Sequence, residues 1–167
     1  MELNIARALK SIGEPFPFDL TAEIDQVTFG ARTIRFLAPV RAKGAYVFDG
    51  KSFQVAGEAE TVLSSVCARC DEPFEEPFSC TFSERFVKIA ELDPESDDYT
   101  FEGGTLRLDD AVMDNLLLAL PLVSVCRTDC KGLCPVCGIN RNRQDCSCKA
   151  EAKPNPFSVL DTLGSDG

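Results

Sequence analysis

Over short runs in the N-terminal half, apolar and polar residues alternate with the period of a half-buried strand. Phe16 to Leu20 forms a short extended segment, preceded by Pro15 and interrupted by Pro17. Thr33 to Val40 reads as a strand, with Pro39 marking an edge or a bulge. Tyr46-Val47-Phe48, then Asp49-Gly50, then Phe53-Gln54-Val55 predict a hairpin, because an Asp-Gly turn accepts positive φ. The returning strand continues to about Val66, with Val55, Thr61 and Leu63 on one face. A further strand covers about Phe78 to Ile89 and places Phe78, Cys80, Phe82 and Phe86 together. The acidic stretch Leu92 to Gly104, with Pro94, Gly103 and Gly104, reads as a mobile loop.

The period then changes. Val112, Met113, Leu116, Leu117 and Leu120 form one stripe at helical spacing, after a cap at Asp109 or Asp110 and before Pro121. Such a stripe packs across a sheet more often than it offers a groove to a partner. The pattern predicts an α+β fold, an antiparallel β meander packed by a helix, over residues 1–125. A cysteine-rich zinc module follows over 126–150, and a tail over 151–167 that either docks as a short helix or hangs free. No repeat of solenoid length is present.

Composition sharpens this picture. The 167 residues are 44% hydrophobic and 26% charged, enough apolar material for one core. The net charge of −10 repels nucleic acid overall, so any RNA contact has to come from a local basic patch. Met1-Glu2-Leu3-Asn4-Ile5 has neither the basic start nor the apolar run of a signal peptide. The longest apolar run, Leu116 to Val123, falls far short of the ~20 residues that span a bilayer. A soluble cytoplasmic protein is expected, with no membrane partner and no small-molecule substrate. The absence of histidine removes the usual general base, every Ser-His or Cys-His pair and every histidine-containing zinc site.

The nine cysteines carry the chemistry. They run Cys67-x2-Cys70, then Cys126-x3-Cys130-x3-Cys134-x2-Cys137, then Cys146-x-Cys148, with Cys80 apart. In a cytosolic chain such clustering points to metal rather than disulfides. A C-x-x-C pair on a tight turn grips one tetrahedral ion, and two pairs complete a four-thiolate site. Cys134-Pro135-Val136-Cys137-Gly138 looks like a zinc knuckle, completed by Cys146 and Cys148. Cys67 and Cys70 are then left to Cys126 and Cys130, which ties the module to the sheet. This partition uses two zinc ions; a single ion drawing on both groups is the variant. Cys80 alternates with Phe78 and Phe82 and is expected in the core as a small hydrophobe.

A closed four-thiolate site leaves no position for water and is structural, so no catalytic residue is assigned. Cys130-x3-Cys134-x2-Cys137 has the spacing of a radical iron–sulfur triad, but the chain is too short for the βα barrel that chemistry uses. A structural iron–sulfur cluster or a redox dithiol remains the alternative. Gly44 to Ser52 misses the phosphate-loop spacing by one residue and falls in the predicted hairpin. The pairs Glu75-Glu76 and Asp97-Asp98 read as solvated surface. Between Cys126 and Cys148, Arg127, Lys131, Arg141 and Arg143 outnumber Asp129 and Asp145. This basic module on an acidic body is either a contact for RNA phosphates or a counterweight to the thiolates.

Four stretches together are familiar. They are Cys67-Ala-Arg-Cys70-Asp-Glu-Pro-Phe74; Leu106-x-Leu108-Asp109 leading into Leu117-Leu-Ala-Leu-Pro121; Cys130-Lys-Gly-Leu-Cys-Pro-Val-Cys-Gly138; and Lys153-Pro-Asn-Pro-Phe-Ser-Val-Leu160. They resemble the YceD family of bacterial and plastid proteins, called large ribosomal RNA subunit accumulation proteins. The resemblance implies a non-enzymatic role in accumulation of that RNA and in large-subunit assembly. The partner it implies is ribosomal RNA, a large-subunit ribosomal protein or an assembly intermediate. Some relatives lack most of the C-terminal cysteines, which implies that the second metal module is dispensable to the shared fold. A zinc-stapled interaction adaptor is the other function weighed.

Overall fold

The computed structural model describes residues 1–30 and 32–149. The strands are β1 (Glu2–Asn4), β2 (Pro15–Ala22), β3 (Gln26–Phe29), β4 (Arg32–Phe36), β5 (Val40–Phe48), β6 (Phe53–Val66), β7 (Pro73–Lys88), β8 (Tyr99–Phe101) and β9 (Thr105–Arg107). One helix, α1, covers Asp109–Ala119. Strands β2 to β8 form a seven-stranded sheet, and β1 pairs with β9 in a separate two-stranded ribbon. Among the described residues the fold is therefore a mostly antiparallel sheet with one α-helix.

The long strand β6 organises the sheet. Along one edge its first part pairs with β5 (Phe48 opposite Phe53 through Arg41 opposite Glu60), and its last part pairs with β4. Along the other edge β7 follows it from Val66 opposite Pro73 to Phe53 opposite Phe86. The consecutive strands β5, β6 and β7 are a meander. Strand β2 instead returns to β5 across the inserted β3–β4 hairpin.

Alternation places Val40, Ala42, Tyr46 and Phe48 of β5 on one face with Phe53, Val55, Ala59 and Leu63 of β6 and Phe82 and Phe86 of β7, all buried. Gly44 and Gly57 sit opposite each other in the middle of that face. A Cβ on Gly57 would come within 2.5 Å of the Lys43 carbonyl and 3.1 Å of the Phe82 ring. A Cβ on Gly44 would in turn clash with the Ala56 carbonyl, so the two glycines let β5 and β6 approach closely, and Gly57 leaves room for Phe82, whose ring centroid lies 6.4 Å from that of Phe18. The face is covered by the β1–β9 ribbon, through Leu3, Ile5, Leu106 and Leu108, and by α1, through Ala111, Val112 and Leu116. Cys80 packs half-buried against this core. The opposite face is polar, with Arg41 between Asp19 and Glu60.

Three expectations are corrected. The strand read over Thr33 to Val40 is two strands, broken at 37–39, where Leu37 N–H donates to the Val62 carbonyl. Pro39 cannot donate to a ladder, and the break lets β4 and β5 share one edge of β6. The loop read over Leu92 to Gly104 contains β8, which runs parallel to β7 and buries Phe101. Arg85 pairs with Asp98 just before it and holds that carboxyl below the usual range. The cap read at Asp109 or Asp110 is absent: Leu108 occupies the cap position without a side-chain bond. Both aspartates lie in the first turn, where the helix dipole favours negative charge.

Asp49-Gly50 does turn the chain from β5 to β6, in a four-residue loop with Gly50 at φ +100°. The Asp49 carboxylate accepts from the N–H groups of Lys51 and Ser52 and from Ser52 Oγ. No described helix is long and apolar enough to cross a membrane. The tail from residue 150 onward lies outside the described residues.

Candidate metal centres

Among the described residues beyond α1 there is almost no regular structure, and the segment is organised by sulfur. Two groups of four cysteines converge, each with its sulfurs within 4.8 Å of one another. The inner group is Cys67, Cys70, Cys126 and Cys130; the outer is Cys134, Cys137, Cys146 and Cys148. All eight clustered cysteines fall into the two sets read from their spacing. The Cys130-Cys134-Cys137 triad does not form, because Cys130 belongs to one group and the other two to the second.

Cys67 and Cys70 leave the end of β6 in a turn of the knuckle type. The N–H of Asp71 donates to the Cys67 carbonyl at 2.9 Å, and Asp71 takes the left-handed conformation at φ +58°. Cys134 and Cys137 repeat this geometry: Gly138 N–H donates to the Cys134 carbonyl at 2.9 Å, with Gly138 at φ +74°. Glycine enters that conformation without strain, whereas aspartate tolerates it at a cost. Each turn is closed by the left-handed residue and brings the amides just before it toward the first sulfur. The amides of Cys126, Cys70 and Arg69 bear on Cys67, and those of Cys137 and Val136 on Cys134.

These amides set the charge. The Cys126 amide, followed by those of Cys70 and Arg69, brings the Cys67 thiol down to about 6 against the opposing effect of burial. The Cys137 and Val136 amides bring Cys134 down to about 6. Burial and the neighbouring sulfurs push Cys126 up to about 12, and Cys137 pushes Cys148 up to about 12. Burial also opposes ionisation of Cys130, yet the Gly132 amide and the Asn142 side chain hold it below its ordinary value. Four sulfurs this close cannot all ionise beside one another without a cation between them.

The donor set fits one tetrahedral ion per group. Metal–sulfur bonds of ~2.3 Å put neighbouring sulfurs about 3.8 Å apart. Cys67 and Cys130 are 3.9 Å apart and Cys70 and Cys126 3.8 Å apart. A cluster of several irons would need its thiolates spread around a wider body than one ion. Four protein thiolates also fill a tetrahedral coordination shell and leave no place for a reacting water.

The two groups differ in setting. Cys67, Cys70 and Cys130 are buried, and Phe74 and Val125 pack against them. The inner group joins the sheet to the later chain, and a dense set of bonds holds the two together. Ala68 N–H donates to the Ser124 carbonyl and Leu133 N–H to the Arg69 carbonyl, at 2.9 and 2.8 Å. Arg69 reaches the carbonyls of Thr128 and Cys130. Glu72 accepts from Asn140 and from Arg143. Asn142 donates to Cys130 Sγ at 3.3 Å, and its oxygen accepts from the Lys131 amide and from Arg127. In the outer group Cys134 is buried and Cys146 half-buried, while Cys137 and Cys148 are exposed.

Sequence reading missed this supporting set of Arg69, Glu72, Asn140 and Asn142. Their only sequence signal is proximity to the cysteines. Of the four basic residues considered for RNA, Arg143 pairs with Glu72 at 2.8 Å, and Arg127 pairs with Asp129 and donates to Asn142. Lys131 and Arg141 are exposed beside them. Arg127 and Arg143 thus help hold the cysteine-rich segment in place.

Comparison with known proteins adds the lineage. A family model described as the large ribosomal RNA subunit accumulation protein YceD matches residues 55–164. An uncharacterized protein of Mycobacterium tuberculosis is 34% identical over 119 residues, 67% of this chain and 56% of its own length. The large ribosomal RNA subunit accumulation protein YceD of Haemophilus influenzae is 30% identical over 129 residues, 71% of this chain and 69% of its own. The chloroplastic YCED homolog 1 of Arabidopsis thaliana is 23% identical over 155 residues, 75% of this chain and 48% of its own. The chain thus spans little more than half the length of the mycobacterial relative. No solved structure matches. The family match covers both cysteine groups, the second half of the sheet and α1, and by it the chain belongs to the YceD family.

Proposed function

We propose that this protein is a non-enzymatic factor that supports accumulation of large-subunit ribosomal RNA and thereby assembly of the large subunit. The observation that carries this reading is the family match over residues 55–164, joined by relatives named for that RNA. The chemistry of the cysteine groups agrees with a factor rather than a catalyst. Each group holds one zinc ion with all four positions filled, and the ion supplies cross-linking. The inner ion fastens the cysteine-rich segment to the end of β6, and the outer ion shapes the segment itself.

The contact surface follows from charge. The chain carries −10 overall. A zinc held by four thiolates carries a formal −2, so two such sites add counter-charge against Arg127, Lys131, Arg141 and Arg143. This balance favours a large-subunit ribosomal protein or an assembly intermediate as the direct partner, in the cytoplasm. Contact with RNA would rest on Lys131 and Arg141.

The test is a deletion strain analysed by sucrose gradient and by the ratio of precursor to mature large-subunit RNA. Accumulated immature large subunits, restored by the intact chain, support the reading; unchanged ribosome profiles refute it. Charge reversal at Lys131 and Arg141 separates the partners. Complementation by the reversed variant leaves a protein partner, and its failure with the fold intact shifts the contact to RNA.

A further inference from the structure

The two cysteine groups are alike in donors and unlike in everything around them. The inner ligands come from segments 56 and 63 residues apart in the pairs that face each other, Cys70 with Cys126 and Cys67 with Cys130. Three of its four cysteines are nearly sealed from solvent, at 1% for Cys67, 4% for Cys70 and 6% for Cys130. Opening it would require parting the bonds of Ala68, Arg69 and Glu72 to the later segment. The outer ligands all come from residues 134–148, on one local stretch of chain. Two of them, Cys137 and Cys148, are exposed.

Zinc changes ligands by briefly accepting an incoming donor before an old one leaves. The incoming donor must therefore reach the ion, and a leaving thiolate must have somewhere to swing. The inner group offers far less of either, since three of its four sulfurs are buried, only Cys126 is half-buried, and Cys130 is pinned by hydrogen bonds from Asn142 to its sulfur and from Arg69 to its carbonyl. The outer group offers both along its Cys137 and Cys148 side.

We propose that the outer group is an exchangeable zinc site, whereas the inner group is a permanent staple. The outer ion trades with soft-donor chelators and metal carriers in solution, so occupancy of the outer site follows available zinc while the sheet and the inner site stay intact. This inference rests on the reading that each group holds one ion.

The test uses the full chain loaded with zinc and challenged with a chromogenic zinc chelator in excess. Released zinc is followed in time, and samples are alkylated with N-ethylmaleimide and mapped by mass spectrometry. One equivalent is expected to leave roughly tenfold or more faster than the second, the scale on which outer-shell bonds tune a metal site. Alkylation after the first phase is expected on Cys134, Cys137, Cys146 and Cys148, with the β signal in circular dichroism unchanged. Cys137→Ser with Cys148→Ser is expected to abolish the fast equivalent and keep the slow one. Two equivalents leaving in a single phase overturn the inference and leave the two-ion reading standing. First-phase alkylation on Cys67, Cys70, Cys126 or Cys130 overturns it as well. A loaded chain with fewer than two zinc ions overturns the two-ion reading and the inference with it.

Discussion

Asn142 touches four groups at once: Cys130 Sγ and Asn140 Oδ1 through its amide nitrogen, and the Lys131 N–H and the Arg127 guanidinium through its oxygen. Asn142→Ala removes all four bonds and leaves the Lys131 amide without that acceptor. The affinity of the inner site should fall by about 10- to 100-fold, the usual effect of losing an outer-shell partner, as measured by competition with a chelator of known affinity. Asp49 plays a comparable part in the β5–β6 turn, where bonds from Ser52 and Lys51 hold its carboxyl below the ordinary value. A lowered carboxyl pKa stabilises the fold above its unfolded value of ~3.9, and the gain disappears as pH falls through the folded value. Asp49→Ala should therefore cost about 1 kcal/mol at neutral pH in urea melts, discounted for its exposure, and progressively less as pH falls below the unfolded value and through the folded one. Asp49-Gly50 was legible because a turn residue advertises itself locally. Asn142 was not, since nothing in Arg-Asn-Arg reveals which sulfur the amide will meet.

Among the elements, β6 and β7 show how far periodicity carries. Phe53, Val55, Ala59, Thr61 and Leu63 keep the period of two on either side of Gly57, so the face and length of β6 are visible in the chain. Strand β7 starts at Pro73, ahead of its readable apolar run, because pairing with β6 and not its own pattern extends it. Strand β8 has three residues and pairs in parallel, so no local alternation could announce it. The helix stripe was legible, and Val112 and Leu116 are each 1% exposed against the sheet. Leu116→Ala should destabilise the protein by about 2–5 kcal/mol, read as a lower urea midpoint with zinc content unchanged. A small effect would mean that α1 contributes little to the core.

On the scale of the whole molecule, the inner cysteine group decides whether the chain is one body. It closes a loop that contains β7, β8, β9 and α1, and it fixes residues 126–148 against the end of β6. The partition of cysteines was legible because pairs at knuckle spacing have few ways to combine. Which group would be buried depended on the tertiary path of β6 and α1. Cys67→Ser with Cys70→Ser should free the cysteine-rich segment for proteolysis while the sheet keeps its β signal. Loss of the sheet as well would make the inner ion part of the core and not a staple upon it. The most direct test of the account is the metal content of untagged protein purified without oxygen, measured by elemental analysis beside its visible spectrum. The account predicts two zinc ions per chain and a colourless protein. One zinc, no metal, or iron with a brown spectrum would contradict it.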